Sequence, residues 1–169
     1  MSWGIEMKRL LLMRHAKSSW SHEVSDHDRP LNERGLEAAP RMGRWLDAQG
    51  LRPDEVISST AVRAQRTAEL VSTQFADPPP LHTTADLYLP SVEDIIDSLA
   101  ESKGDCVLVV CHNPGTTHAV SVLTGVSEEM KTAAVAVIDF DVAEWSDLLV
   151  HAEGSLRSCW RVKELPESI

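Results

Sequence analysis

Leu10-Leu11-Leu12-Met13-Arg14-His15-Ala16-Lys17 is the stretch that decides the fold. An apolar run carries an Arg-His pair into a polar turn. Its near-continuous apolar character indicates burial on both faces, as in a parallel strand of an α/β sheet. Ligands of such sheets bind just beyond the carboxyl ends of the strands. A second run, Val107-Leu108-Val109-Val110-Cys111, ends the same way, in His112-Asn113-Pro114-Gly115. Together the two runs place two imidazoles and a guanidinium on one rim. That set is suited to holding and attacking a phosphoryl group.

The rest of the chain alternates between strand-like and helix-like patterns, which predicts an α/β fold. Lys8 to Met13 is the first strand, and Ser18 to Pro30 is a long polar loop beside the Arg-His pair, a common place for function. Asn32 is the expected N-cap of a helix reaching about Gln49 and closed by Gly50. Pro40 inside that helix is expected to kink or split it. Glu55 to Ser58 is a short strand. Thr60 is the expected cap of a helix to about Gln74, with Ala61, Ala64, Ala68 and Val71 on its buried side. Leu81 to Thr84 is a further strand. Ser91 and Asp94 form a capping-box pattern ahead of Val92, Ile95, Ile96 and Leu99. Cys106 to Cys111 is the clearest buried strand, followed by a helix over Thr116 to Leu123. Ala133 to Phe140 and Leu156 to Val162 close the chain as strands. The whole, residues 1–169, reads as one domain.

Composition narrows the function. With 16 Lys and Arg against 26 Asp and Glu, the formal net charge is -10. A nucleic-acid partner needs a basic footprint and is not expected. A local anionic substrate remains compatible, since a few arginines in a cleft reverse the local field. No apolar stretch reaches the roughly 18–20 residues that span a bilayer. Met1 to Arg9 lacks a signal-peptide layout, so a cytoplasmic location and no membrane partner are expected. Cys106, Cys111 and Cys159 show no paired spacing. Cys106 and Cys111, five apart on one strand, face opposite sides and are poor partners for a metal or a disulfide.

Four residues carry the chemistry. A neutral imidazole at His15 can attack phosphorus and later leave. The planar donor fork of Arg14 matches phosphate oxygens. His112 follows a buried strand and precedes a helix start, where free N–H groups face an anion. Arg63 sits in the first turn of its helix, where the macrodipole disfavours a cation; an anion shared with Arg14 would account for it. Arg66, a turn on, reads as solvated. A cysteine-dependent phosphatase is set aside because no arginine follows Cys111 in a short loop. A P-loop nucleotidase lacks its Gly-Lys motif. A zinc hydrolase would need histidines at ligand spacing, whereas His22, His27, His82, His118 and His151 are scattered, with His22 and His27 in the loop beside the cleft.

Arg14-His15, Arg29-Pro30-Leu31-Asn32-Glu33-Arg34-Gly35, the Ser58-Ser59 to Thr67 block with Arg63, and His112, taken in order, resemble the histidine phosphatase (phosphoglycerate-mutase-like) superfamily. Arg14-His15-Ala16-Lys17-Ser18-Ser19-Trp20 in a short chain most resembles its small phosphohistidine phosphatase, SixA-like, branch. The resemblance covers about residues 8 to 165. It implies a three-layer α/β/α sandwich with a mostly parallel central sheet. It also implies phosphoryl transfer through a phosphohistidine, with no metal or other cofactor. His15 would be the nucleophile, and Arg14, Arg63 and His112 would bind phosphoryl oxygens, with Ser18 beside them on the substrate. Ala16 stands where many members carry glycine. Asp86, in Thr84-Ala85-Asp86-Leu87-Tyr88, occupies the region of the general acid of larger members, with Glu93 and Asp94 as alternatives. The implied substrate is a phosphorylated protein or a small phosphate ester. A sugar-phosphate mutase and a non-catalytic phosphate-binding module are the competing readings.

Overall fold

The computed structural model describes residues 6–148 and 153–169. His151 lies outside the described residues. Among these residues, six strands form one sheet: β1 (Lys8–Arg14), β2 (Glu55–Ser59), β3 (Leu81–Thr84), β4 (Cys106–Cys111), β5 (Val135–Phe140) and β6 (Ser155–Trp160). Their spatial order is β3-β2-β4-β1-β5-β6. β3, β2, β4 and β1 run parallel, whereas β5 is antiparallel to β1 and β6 to β5. The two apolar runs pair directly, Leu10 with Val107 through Arg14 with Cys111. Arg14 and Cys111 end together, which puts His15 and His112 side by side just past the carboxyl ends of two central strands.

Among the described residues, four helices cover the sheet: α1 (Glu33–Ala48), α2 (Val62–Ser72), α3 (Val92–Leu99) and α4 (Gly115–Thr124). Alternate side chains of each strand point to opposite faces. Leu10, Leu12, Val107, Val109 and Cys111 meet Ile95, Leu99, Ala119 and Val120 of α3 and α4. Leu11, Met13, Leu108 and Val110 meet Ala39, Met42, Ala64 and Ala68 of α1 and α2. The result is the three-layer α/β/α sandwich with a mostly parallel sheet that the resemblance implies. Cys106 and Cys111 pack in opposite layers.

Local expectations fare unequally. Asn32 caps α1 through Gly35 N–H at 2.9 Å, and Ser91 and Asp94 form the capping box of α3. Pro40 does not split α1, which runs unbroken from Glu33 to Ala48. The carbonyl it deprives of a partner is that of Leu36, an exposed residue, where water can replace the lost donor. Thr60 is not a cap: the N-cap of α2 is Ala61, with no side-chain bond. The Thr60 hydroxyl instead pairs with His27 Nε2 at 2.9 Å.

Candidate active site

The turn after β1 is fixed before any ligand arrives. Ala133 N–H donates to the carbonyls of both Arg14 and His15, at 3.1 and 3.0 Å. His15 N–H donates to Cys111 O at 3.0 Å, locking the turn to β4. Ala16 N–H donates to Thr67 Oγ1, whose own proton goes to Arg63 O at 2.7 Å. Thr67 thus ties the Arg14-His15 turn to α2. Ser19 N–H to Pro30 O and Asn32 N–H to Lys17 O pinch the base of the following loop, at 2.8 and 3.0 Å.

His15 is buried, 7% exposed. Its Nδ1 lies 2.7 Å from Ala16 O. A carbonyl only accepts, so the ring proton sits on Nδ1 and Nε2 keeps its lone pair. Arg63 Nε–H approaches that lone pair at 3.4 Å. Burial, with the guanidiniums of Arg63, Arg14 and Arg29 adding to it, lowers the His15 pKa to about 4. The ring is therefore neutral at physiological pH. His112 lies 5.1 Å away between ring centroids, and burial plus His15 and Arg63 lower its pKa to about 3. His112 Nε2 meets Ser59 Oγ at 2.8 Å, while buried Nδ1 has no partner.

The cations converge. Arg63 is 3% and Arg29 7% exposed. Arg14 is half-buried; one Nη donates to Met130 O at 3.1 Å and its buried Nε has no partner. Arg29 donates to Ser18 Oγ at 2.8 Å and lies 3.5 Å over the Trp20 ring. A cavity of about 210 Å³ is lined by Arg14, Arg29, Arg63 and Lys17, both imidazoles, and Ser18, with Trp20, Leu89, Asn113 and Thr132 completing it. Among the described residues, no carboxylate lines it.

Asp86 is not brought to this cavity. It is exposed in the short 3₁₀ turn Ala85–Leu87, where its N–H bonds Thr84. Asp94 is committed to its capping box, and Glu93 is exposed at the same helix start. The carboxylate that matters is Asp26, which the sequence reading passed over. Its Oδ2 accepts from Tyr88 OH at 2.5 Å and Arg63 at 3.1 Å, and its Oδ1 from Arg29 at 3.0 Å. Its backbone carbonyl accepts from Arg63 at 2.6 Å. The Tyr88 hydrogen bond, helped by both arginines, holds the Asp26 carboxyl far below the usual carboxylate range. Asp26 is thus a fixed anion that orients two guanidiniums, not a proton donor. The sequence signal that could have found it is Arg29 three residues on, together with Tyr88 in the segment chosen for Asp86. Asn113 anchors the second rim: its amide donates to Met130 O at 2.9 Å, and its Oδ1 accepts from Thr117 and Thr116 in α4.

Fold and site together define an α/β protein built around a neutral imidazole in a cavity lined by cationic side chains. Comparison with known proteins agrees. A family model, the histidine phosphatase superfamily (branch 1), matches residues 10–88. An uncharacterized protein of Mycobacterium tuberculosis is 33% identical over 150 residues, 80% of this chain and 91% of the relative. The structure of a putative phosphohistidine phosphatase SixA from Nakamurella multipartitia is 28% identical, with a TM-score of 0.79 over 92% of this chain and 96% of that one. A protein histidine phosphatase SixA solved with tungstate shares the fold, with a TM-score of 0.78 and 22% identity over 94% and 99% of the two chains. The chain belongs to the histidine phosphatase superfamily, in its SixA-like branch. That membership supports phosphatase activity.

Proposed function

We propose that this protein is a metal-independent phosphatase acting through a phosphohistidine on His15, and that its substrate is phosphohistidine on a protein. The observation that carries the reading is a cavity walled by the guanidiniums of Arg14, Arg29 and Arg63 and the ammonium of Lys17, with His15 among them and the lone pair of its Nε2 kept by the Nδ1 contact to Ala16 O. Phosphoryl oxygens supply the negative charge that this cluster of cations accepts.

Two in-line steps follow. His15 Nε2 gives its lone pair to phosphorus, and the bond from phosphorus to the leaving group breaks with its electron pair. Water then attacks phosphorus, the bond to Nε2 breaks, and its pair returns to the ring. Arg14, Arg63 and His112 hold the oxygens whose charge persists throughout. Substrate choice follows from the leaving group. An alkoxide needs a proton from a nearby acid, and the cavity wall has no carboxyl group to give one among the described residues. A phosphohistidine departs as an imidazole that can already carry its proton. This favours phosphohistidine over alkyl phosphates, and the same argument weighs against a sugar-phosphate mutase.

The test is a comparison of kcat/KM for a phosphohistidine protein, an aryl phosphate, sugar phosphates and nucleotides. The phosphohistidine protein is expected to lead by roughly tenfold or more. Preference for a sugar phosphate or nucleotide would overturn the substrate assignment. His15→Ala is expected to lose roughly 10³-fold or more in kcat with its circular dichroism unchanged. Substantial turnover in that variant would exclude His15 as nucleophile. An acid-labile phosphoryl group trapped on His15 would distinguish the enzyme from a passive phosphate-binding module.

A further inference from the structure

A second, larger groove opens from the catalytic cavity. The two share Arg14, Lys17 and Thr132 as wall, and the groove measures about 660 Å³ against about 210 Å³ for the cavity. It runs between the start of α1, the segment from Glu129 to Thr132, and the segment from Arg161 to Glu164. Seven of its lining side chains are basic and three acidic, in a chain of net charge -10. The groove thus inverts the sign of the molecule around it.

Three of these cations build the walls. Arg41 donates to the carbonyls of Leu165 and Pro166 at 3.1 and 3.0 Å. Arg161 pairs with Glu128 at 2.7 Å and Lys131 with Glu129 at 3.0 Å. Lys17, Arg34 and Lys163 are different: all three are exposed, and none makes an ion pair among the described residues. Like charges that line one groove repel one another, and an anionic occupant relieves that repulsion.

The structure assigns this groove to an acidic polypeptide segment that flanks the phosphorylated residue of a protein substrate. The assignment rests on the phosphoprotein reading above. The groove is far larger than one further phosphate group requires. Among the described residues, its walls contain no aromatic ring on which a nucleobase could stack. Its free charges sit on long flexible stems, suited to carboxylates spread along a chain rather than to a compact polyphosphate, which favours backbone nests. Glu37, Glu129 and Glu164 punctuate the basic walls and set the register in which the acidic side chains are accepted.

The experiment measures fluorescence anisotropy of a labelled, unphosphorylated Asp/Glu-rich peptide on the wild-type protein and on Arg34→Glu/Lys163→Glu. Neither residue touches the catalytic cavity. The acidic peptide is expected to bind more tightly than a Ser/Gly peptide of equal length. Its affinity is expected to fall roughly tenfold or more in the variant, while kcat/KM for an aryl phosphate stays within about twofold. Arg34→Gln/Lys163→Gln is expected to show a smaller fall in the same direction, and it replaces the charge reversal if that variant fails to fold. Equal affinity in wild type and variant, equal binding of the neutral peptide, or tighter binding of a single-stranded oligonucleotide of matched charge would overturn the assignment. The probe carries no phosphoryl group, so its binding is independent of chemistry at His15. Failure of the substrate panel and failure of the groove are therefore separate results.

Discussion

As the proposed nucleophile, His15 has to be both unprotonated and aimed, and one environment provides both. The Ala16 carbonyl fixes the proton on Nδ1, while burial and three guanidiniums lower the pKa to about 4. In the unfolded chain the same imidazole titrates near 6.5. Between those values the unfolded state binds more protons, so stability is fully present above about pH 6.5 and declines as pH falls towards 4. His112, lowered to about 3, acts in the same sense, and the adjacent rings titrate as a pair. Denaturant midpoints are expected to drop between pH 7 and 5, and His15→Ala to flatten that slope. An equal slope in the variant would show that His15 is not buried neutral. The same reasoning places the acid limb of kcat/KM, corrected for substrate ionisation, below about pH 5 rather than at 6.5. Asp26 works by position. Asp26→Asn keeps the shape but weakens the hold on Arg63 and Arg29, and kcat is expected to fall roughly tenfold, with Asp26→Glu recovering part of it. An unchanged kcat in Asp26→Asn would reduce the carboxylate to a surface contact. The sequence marked His15, Arg14, Arg63 and His112 because each follows or opens a strongly patterned element. Asp26 escaped notice because Glu23, Asp26 and Asp28 look alike in a polar loop. Its partners Arg63 and Tyr88 lie 37 and 62 residues away, and only folding brings them together.

Among the elements, α1 packs closely against the turn after β1 at Gly35. A Cβ on Gly35 would lie 2.1 Å from Lys17 O, a backbone atom that cannot rotate away. Gly35→Ala therefore pushes the helix start off the turn that leads from His15 to Ser18. It is expected to cost about 1–3 kcal/mol, seen as a Tm lower by roughly 2–4 °C per kcal/mol, and to raise KM because Lys17 and Ser18 move with the turn. A Tm and KM unchanged from wild type would show that α1 stands clear of the turn. The strands β1 and β4 were legible because a strand buried on both faces has to be apolar almost throughout. The direction of β5 was not, since alternation of side chains is the same in parallel and antiparallel ladders. The α2 cap was misjudged for a different reason. Thr60 carries good capping chemistry, but its hydroxyl is engaged by His27, a partner 33 residues away that no local pattern announces.

Across the whole molecule, two fields of opposite sign act on an approaching phosphate. The net charge of -10 repels a dianion at long range, while the arginines around the cavity attract it at contact. Salt separates them by distance. The screening length is about 30 Å at 0.01 M and about 10 Å at 0.1 M. Raising salt over that interval removes most of the distant repulsion and leaves the short-range attraction, which acts between partly buried groups. Further salt, towards about 1 M, screens contacts of a few ångströms as well. For a small aryl phosphate, kcat/KM is therefore expected to rise from about 0.01 to 0.1 M salt and to fall again towards 1 M. Competitive inhibition by inorganic phosphate should trace the same curve, since it depends on the same approach and no chemistry. A decline from the lowest salt onward would mean that the cavity and its adjoining groove already dominate the field in which the substrate arrives, and that the acidic remainder of the surface has no part in admitting it.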